Sequence, residues 1–203
     1  MRRVGFGLIW FLCVGVSFYA AQYWSGWTFV PGFNPVRNLL GEGALALHAG
    51  FGSLARVTGP FQFSSRLRNA RPGVHRWTGM VYMMSCTVSG LAGLALAFGS
   101  VETLVAKLGF GTLAVFWLTT IAMGYRTALG RRFVQHRQWM WRSMALTFAA
   151  VTLRILLPLG MMTGHAFSDV YAVIAWMCWV PNLLAVELVL RLQPRLARQR
   201  SAA

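Results

Sequence analysis

Acidic side chains are nearly missing from this 203-residue chain, which sets four Asp and Glu against nineteen Lys and Arg. Lysine is scarcer still, with Lys107 alone against eighteen arginines. Charged residues of both signs make up 11% of the chain, where an ordinary soluble domain carries about 25%. With a mean hydropathy of +0.55, that shortage excludes a soluble globular fold and leaves an integral membrane protein. Also missing are a CxxC pair, GxSxG, HExxH, a Walker loop and paired carboxylates, so thiolate metal sites and the common hydrolase chemistries drop out. Cys13, Cys86 and Cys178 each lie in an apolar run and read as small core residues rather than a disulfide framework.

What the chain has instead is long apolar runs. Six are long enough to cross a hydrocarbon layer of about 30 Å at 1.5 Å per residue. They fall near 4–24, 39–63, 77–98, 101–123, 139–161 and 169–190. The expected fold is therefore all-α: one transmembrane domain over 1–203, a bundle of six helices, and a short basic tail at 191–203. The second run is the least hydrophobic, rich in Ala and Gly with Arg56 inside it. Met1-Arg2-Arg3 before the first run resembles a signal peptide, but Phe18-Tyr19-Ala20-Ala21-Gln22 lacks small residues at both cleavage-specifying positions, which predicts an uncleaved first helix.

Charge placement gives the orientation, because Lys and Arg near span ends stay on the cytoplasmic side. Arg2 and Arg3, then Arg66, Arg68, Arg71 and Arg76, then Arg126, Arg131, Arg132, Arg137 and Arg142, then Arg191, Arg195, Arg198 and Arg200 all collect on one face of a six-span chain. Both termini are expected in the cytoplasm, and eighteen Arg against one Lys suggest a bacterial genome rich in G and C, hence a bacterial inner membrane. The net charge of +15 is thus topogenic, directed at anionic phospholipid headgroups of the bilayer and not at nucleic acid. The loop from Ser25 to Leu39, with Trp27, Phe29, Pro31, Phe33 and Pro35, is expected on the outer interface, covering the mouth of whatever the helices enclose.

Between helices in lipid, interfaces are marked by small and polar residues. At about 100° per residue, His48, Gly52, Ala55, Gly59 and Gln62 share a face of the second helix. His75, Gly79, Tyr82, Cys86, Ser89 and Gly93 share one on the third, and His136, Ser143, Thr147 and Arg154 one on the fifth. Thr112, Thr119 and Met123 form a weaker seam on the fourth. The first and sixth helices show none, which predicts a central core of helices two to five with one and six outside it.

Two boxes repeat one pattern, a His-Arg pair and then Trp where a basic loop enters an apolar run: His75-Arg76-Trp77 and His136-Arg137-Gln138-Trp139. Both histidines fall at the same membrane level. Two facing imidazoles can ligate the iron of a b-type haem, the chemistry of a membrane redox module passing electrons between a quinol and another partner. His75 and His136 are the candidate ligands on this expectation, with Tyr82, Arg76, Arg137 and Arg142 around them. His48 and Arg154 both lie about 22 Å above that level by helical rise, and Glu187 is better matched to Arg142. An arginine this deep is a functional candidate by default. The expectation is a cavity among helices two, three and five that holds an anionic group, whether haem propionate, lipid phosphate or substrate carboxylate. Alternative functions are a transporter for a small anion, and a lipid-contacting or assembly protein.

Leu47-His48-Ala49-Gly50, Gly59-Pro60-Phe61-Gln62-Phe63, His75 to Tyr82, Gly90-Leu91-Ala92-Gly93, His136 to Ser143 and Thr152-Leu153-Arg154, in this order, resemble the bacterial predicted-membrane-protein family catalogued as domain of unknown function 2306. The resemblance spans roughly Leu39 to Pro158. It implies a multi-pass membrane protein whose distinguishing positions are His48, His75, Arg76, Gly79, Tyr82, His136, Arg137, Arg142 and Arg154, and it implies no particular activity. A looser architectural likeness is to six-helix b-type membrane cytochromes, from which this chain departs in having no histidine on its fourth helix.

Overall fold

A computed structural model describes residues 3–20, 41–100 and 102–201. The first helix is Arg3–Ala20 and the second Gly41–Thr58, followed by a 3₁₀ turn, Pro60–Phe63, and a short helix, Ser65–Ala70. The third helix is Pro72–Gly99 and the fourth Leu104–Leu129. The fifth runs as Phe133–Thr147 and Ala149–Met161, the sixth as Phe167–Met177 and Val180–Ser201. The aromatic loop Ser25 to Leu39 lies outside the described residues.

Local chemistry sets these boundaries. Ser64 accepts a hydrogen bond from Leu67 N at 3.2 Å and caps the short helix, and Thr103 accepts one from Ala106 N at 3.3 Å and caps the fourth. Pro72 opens the third helix at its first turn, where a missing N–H costs nothing. The fourth helix closes with Arg131 at φ 54°, Arg132 N donating to Thr127 O and Arg131 N to Ala128 O. This is the paired closure that satisfies two terminal carbonyls, and it delivers the chain at once into the helix that bears His136. In the sixth helix Pro181 brings no N–H, and the Asn182 side chain donates to the carbonyl of Cys178 at 2.9 Å beside the interruption.

Among the described residues four helices are long and apolar enough to cross a membrane: Pro72–Gly99, Leu104–Leu129, Phe133–Met161 and Phe167–Leu192. The expected count of six therefore stands for the last four. The first and second helices, 18 residues each as described, are not in that set.

The pattern is that of a membrane bundle, apolar bulk outward and small or polar groups inward. On the third helix Trp77, Met80, Met84, Leu91 and Phe98 are exposed, while Tyr82, Ser85, Cys86 and Ser89 are buried. Helices two, three, four and five pack in succession, but two and five touch each other only sparsely. The first helix packs on the second and on the second half of the fifth, Ala149–Met161, and the sixth packs on the fourth and fifth.

Three details of the expected arrangement change. The inward face of the fourth helix is Ala114, Trp117, Thr120, Ile121, Gly124 and Thr127, with Thr119 exposed. The Thr119 hydroxyl already donates to Val115 O in its own helix at 2.8 Å, so it has no need of an inward partner. The first helix does have an inward face, Cys13, Ser17 and Ala20, which its outward Phe11 and Phe18 mask in the sequence. The sixth helix likewise places Val170, Ile174, Cys178 and Trp179 in the main core.

Candidate functional site

Contacts between helices fix the register. Gly59 packs against Met144 of the fifth helix and Tyr82 of the third, each within 2.9 Å of where a Cβ would stand. These three residues define one layer. Counting about 1.5 Å per residue from it, Gly52 and Ser89 both lie about 10 Å further on, and His48 and Gly93 both about 16 Å. Gly52 does meet Ser89, and Gly93 does meet His48.

At the layer itself the polar groups are mutually satisfied. The Tyr82 hydroxyl lies 2.9 Å from both Ser143 Oγ and Thr147 Oγ1. Trp117 Nε1 donates to Thr147 Oγ1 at 3.0 Å, and Thr147 Oγ1 is 2.9 Å from its own helix's Ser143 carbonyl. Four residues from three helices thus share one buried network.

Above that network opens a cavity of about 230 Å³. It sits where helices two and five part, with Thr147 and Trp117 toward its floor, and His48, Arg56 and Arg154 in its walls. Arg56 is buried, 5% exposed, and its guanidinium is held by neutral groups: Nε donates to Ser17 Oγ at 3.3 Å and Nη2 to Ser53 Oγ at 2.8 Å. Helical side chains lean toward the N-terminus, and helices two and five run in opposite directions. Arg56 therefore leans up to the level of Gly52, within 3.4 Å of its would-be Cβ, while Arg154 leans down, Nη1 donating to Ala150 O at 3.0 Å. Both guanidinium groups reach about 9 to 10 Å above the layer. His48 Nδ1 faces the Ser89 carbonyl at 2.9 Å; a carbonyl only accepts, so this nitrogen carries the proton.

Sequence reasoning named His48 and Arg154 for this region and passed over Arg56. Its signal was a charged residue inside an apolar run, one turn from Gly52, with Ser53 three residues back to receive it.

The remaining candidates do not gather there. His75 and His136 stand at the basic end. His136 Nδ1 is 2.8 Å from the Gly124 carbonyl, which fixes the proton on Nδ1 and leaves the lone pair on Nε2. His75 Nδ1 is buried with no hydrogen-bond partner among the described residues. Arg76 and Arg137 are exposed at that end, as are Arg66, Arg68, Arg71, Arg126, Arg131 and Arg132. Arg142 pairs with Glu187 through two bonds, Nε to Oε1 at 2.5 Å and Nη2 to Oε2 at 3.1 Å, and lies over the Trp139 ring at 4.7 Å. That is the pairing the depth arithmetic anticipated. Tyr82 belongs to the hydroxyl network beneath the cavity. No group of three or more His, Cys, Asp or Glu side chains suited to a metal ion occurs among the described residues.

Long lipid-facing helices around a buried polar interior make this a multi-pass helical membrane protein. More particularly, the chain belongs to the family described as predicted membrane protein (DUF2306), whose profile matches residues 45–190. That span runs from the second helix to the sixth and includes His48, Arg56, Arg154 and both His-Arg-containing boxes. No curated protein and no solved structure matches the chain.

Proposed function

We propose that this protein binds an anionic ligand in the cavity between its second and fifth helices, as a membrane carrier or transporter of a small anion. The observation that carries this reading is the buried Arg56, a guanidinium that lines the cavity and is supported, among the described residues, by hydroxyls. Leaving such a group in a bilayer costs about 2.5 to 3.5 kcal/mol on insertion scales. Arg154 on the opposing wall adds to the same field, so an arriving anion recovers much of that cost. A ligand at 100 times its Kd stabilises the folded state by about 2.7 kcal/mol. Purified protein should show a rise in unfolding temperature with some members of an anion panel, and lose it in Arg56→Gln. A panel that leaves the wild-type melt unmoved refutes the reading.

On orientation, the exposed arginines support both termini lying in the cytoplasm, with the cavity in the outer half of the bacterial inner membrane. Reporter fusions at Ser100 and Gly130 should then report periplasm and cytoplasm respectively, and the reverse pattern overturns the assignment.

A second reading keeps b-type haem at the basic end, in a redox module with a quinol or another electron partner. It is supported by the tautomer of His136, whose Nδ1 bond to a carbonyl is the bond that orients a metal-ligating imidazole, and by the Nδ1 of His75, which has no partner among the described residues. The reduced-minus-oxidised spectrum of protein made with ample haem decides it. A colourless preparation removes this reading without touching the first.

A further inference from the structure

The cavity is graded along its length. Its cationic groups lie deep: Arg56 and Arg154 reach about 9 to 10 Å above the Tyr82 layer, and the His48 imidazole lies beyond them at about 16 Å. Beyond them the walls turn apolar. Gly90 meets Leu118, which sets the fourth helix in register and carries Leu113 and Phe110 to roughly 20 and 24 Å. Leu96 and Leu157 fall near 20 Å by the same count, and Tyr171 packs its ring on Phe110 with centroids 5.1 Å apart. All five line the cavity. The one carboxylate among the described lining residues, Glu102, follows the end of the third helix at Gly99, more than about 15 Å beyond Ser89. The charges are thus ordered from two guanidiniums within to a carboxylate at the far mouth, with an apolar section between.

Resting on the anion reading above, we infer that the ligand is a small amphiphilic monoanion, a carboxylate with an apolar body, bound with its charged head inward. A compact hydrophilic anion leaves the apolar section wet and unused. A neutral apolar molecule brings no counter-charge to Arg56, whose hydrogen-bond partners among the described residues are neutral hydroxyls. A second anionic group at the tail end meets Glu102, which like charge repels. The volume of about 230 Å³ lies just under the usual range for ligand pockets of about 300 to 1,000 Å³, so the body is short, unlike a full phospholipid with two acyl chains.

The test uses the full chain in nanodiscs, with empty nanodiscs subtracted for partition into lipid, and four probes: octanoate, acetate, octanol and inorganic phosphate. Octanoate should bind saturably at one per chain. Acetate and octanol should each bind at least tenfold more weakly, and affinity should rise roughly fourfold per added methylene from butanoate to octanoate. Arg56→Gln should weaken octanoate at least tenfold. Where that variant does not fold, Leu157→Trp serves, filling the apolar section so that octanoate is lost while acetate is unchanged. Phosphate or acetate binding as tightly as octanoate, and in an Arg56-dependent way, overturns the amphiphile and leaves the anion reading standing. Octanol matching octanoate, or no probe binding, overturns both.

Discussion

Around Tyr82, four buried polar side chains from three helices satisfy one another. The hydroxyls of Tyr82, Ser143 and Thr147 and the indole N–H of Trp117 close on one another, and Gly59 is small enough for the second helix to lie against Tyr82 and Met144. About 10 Å further along the bundle, Arg56 sits among neutral hydroxyls beside open space. Residue types barely differ between the two regions, since both draw on Gly, Ser, Thr and one large polar group per face. What differs is closure. A network whose donors and acceptors balance is complete without a ligand, whereas a guanidinium carries a net charge that hydroxyls solvate but do not neutralise. The first region therefore reads as structural support, and the second as a place prepared for something else.

The sharpest way to break this contrast is to add a methyl group to the closed region. In Gly59→Ala the new Cβ stands 2.9 Å from the Ala55 carbonyl, from Met144 Sδ and from a Tyr82 ring carbon. A thioether can swing aside, but a backbone carbonyl cannot, and overpacking of this kind costs about 1 to 3 kcal/mol. The expected outcome is a clear drop in the unfolding midpoint, measured by thermal or detergent denaturation. An unchanged midpoint would mean that the layer is looser than its contacts imply, and the distinction between the two regions would lose its basis.

A smaller effect is expected from Tyr82→Phe, which removes one hydroxyl and leaves Ser143 and Thr147 each a partner short. Hydrogen bonds between membrane helices are worth about 0.6 kcal/mol on average and about 1.7 at most, so destabilisation should fall in that range. Anion binding should persist, because Tyr82 lies under the cavity floor and does not line it. Loss of binding at full stability would move Tyr82 from support to site.

These contrasts also show what the sequence reveals and conceals. The seam His48, Gly52, Ala55, Gly59, Gln62 was legible because small residues three and four apart have one use in lipid, letting another helix come close. The Arg142–Glu187 pair was legible because helical rise converts residue number into depth. The Cys13–Ser17–Ala20 face of the first helix was hidden, since Phe11 and Phe18 are equally at home against lipid tails or a neighbouring helix and hydrophobicity alone assigns no side. Thr119 misled for a related reason. A threonine that returns its hydroxyl to its own backbone gives no information about its neighbours. Arg56 was visible as a charge but not as a wall of the site, because its role depends on Ser17 from a helix with no recognisable seam. A cavity among helices two, three and five was legible from the depth of Arg154 and His48, but its place where helices two and five part was not, being a failure of two faces to meet.

The smallest effect on stability, and the most specific for the comparison, is expected from Gly93→Ala in the open region. Its Cβ comes within 2.8 Å of His48 Nδ1 and 2.9 Å of Cε1, contacts as close as those at Gly59. Here, however, the obstacle is the ring of a side chain with a cavity beside it, and not a carbonyl. The imidazole rotates away and gives up its bond of 2.9 Å to the Ser89 carbonyl, worth roughly 0.6 kcal/mol in this setting. Replacing a mid-helix glycine with alanine returns up to about 1 kcal/mol of helix propensity, so the two changes nearly cancel. The unfolding midpoint should stay within about a degree or two of wild type, since a net change of a few tenths of a kcal/mol moves a protein of this size no further. Octanoate affinity, by contrast, should fall severalfold, because the displaced ring occupies volume that the ligand needs. A midpoint that collapses as in Gly59→Ala would show that the region around His48 is as closed as the Tyr82 layer and that the cavity is no vestibule for a ligand. Equal octanoate affinity at wild-type stability would instead remove His48 from the site and leave Arg56 and Arg154 to define it.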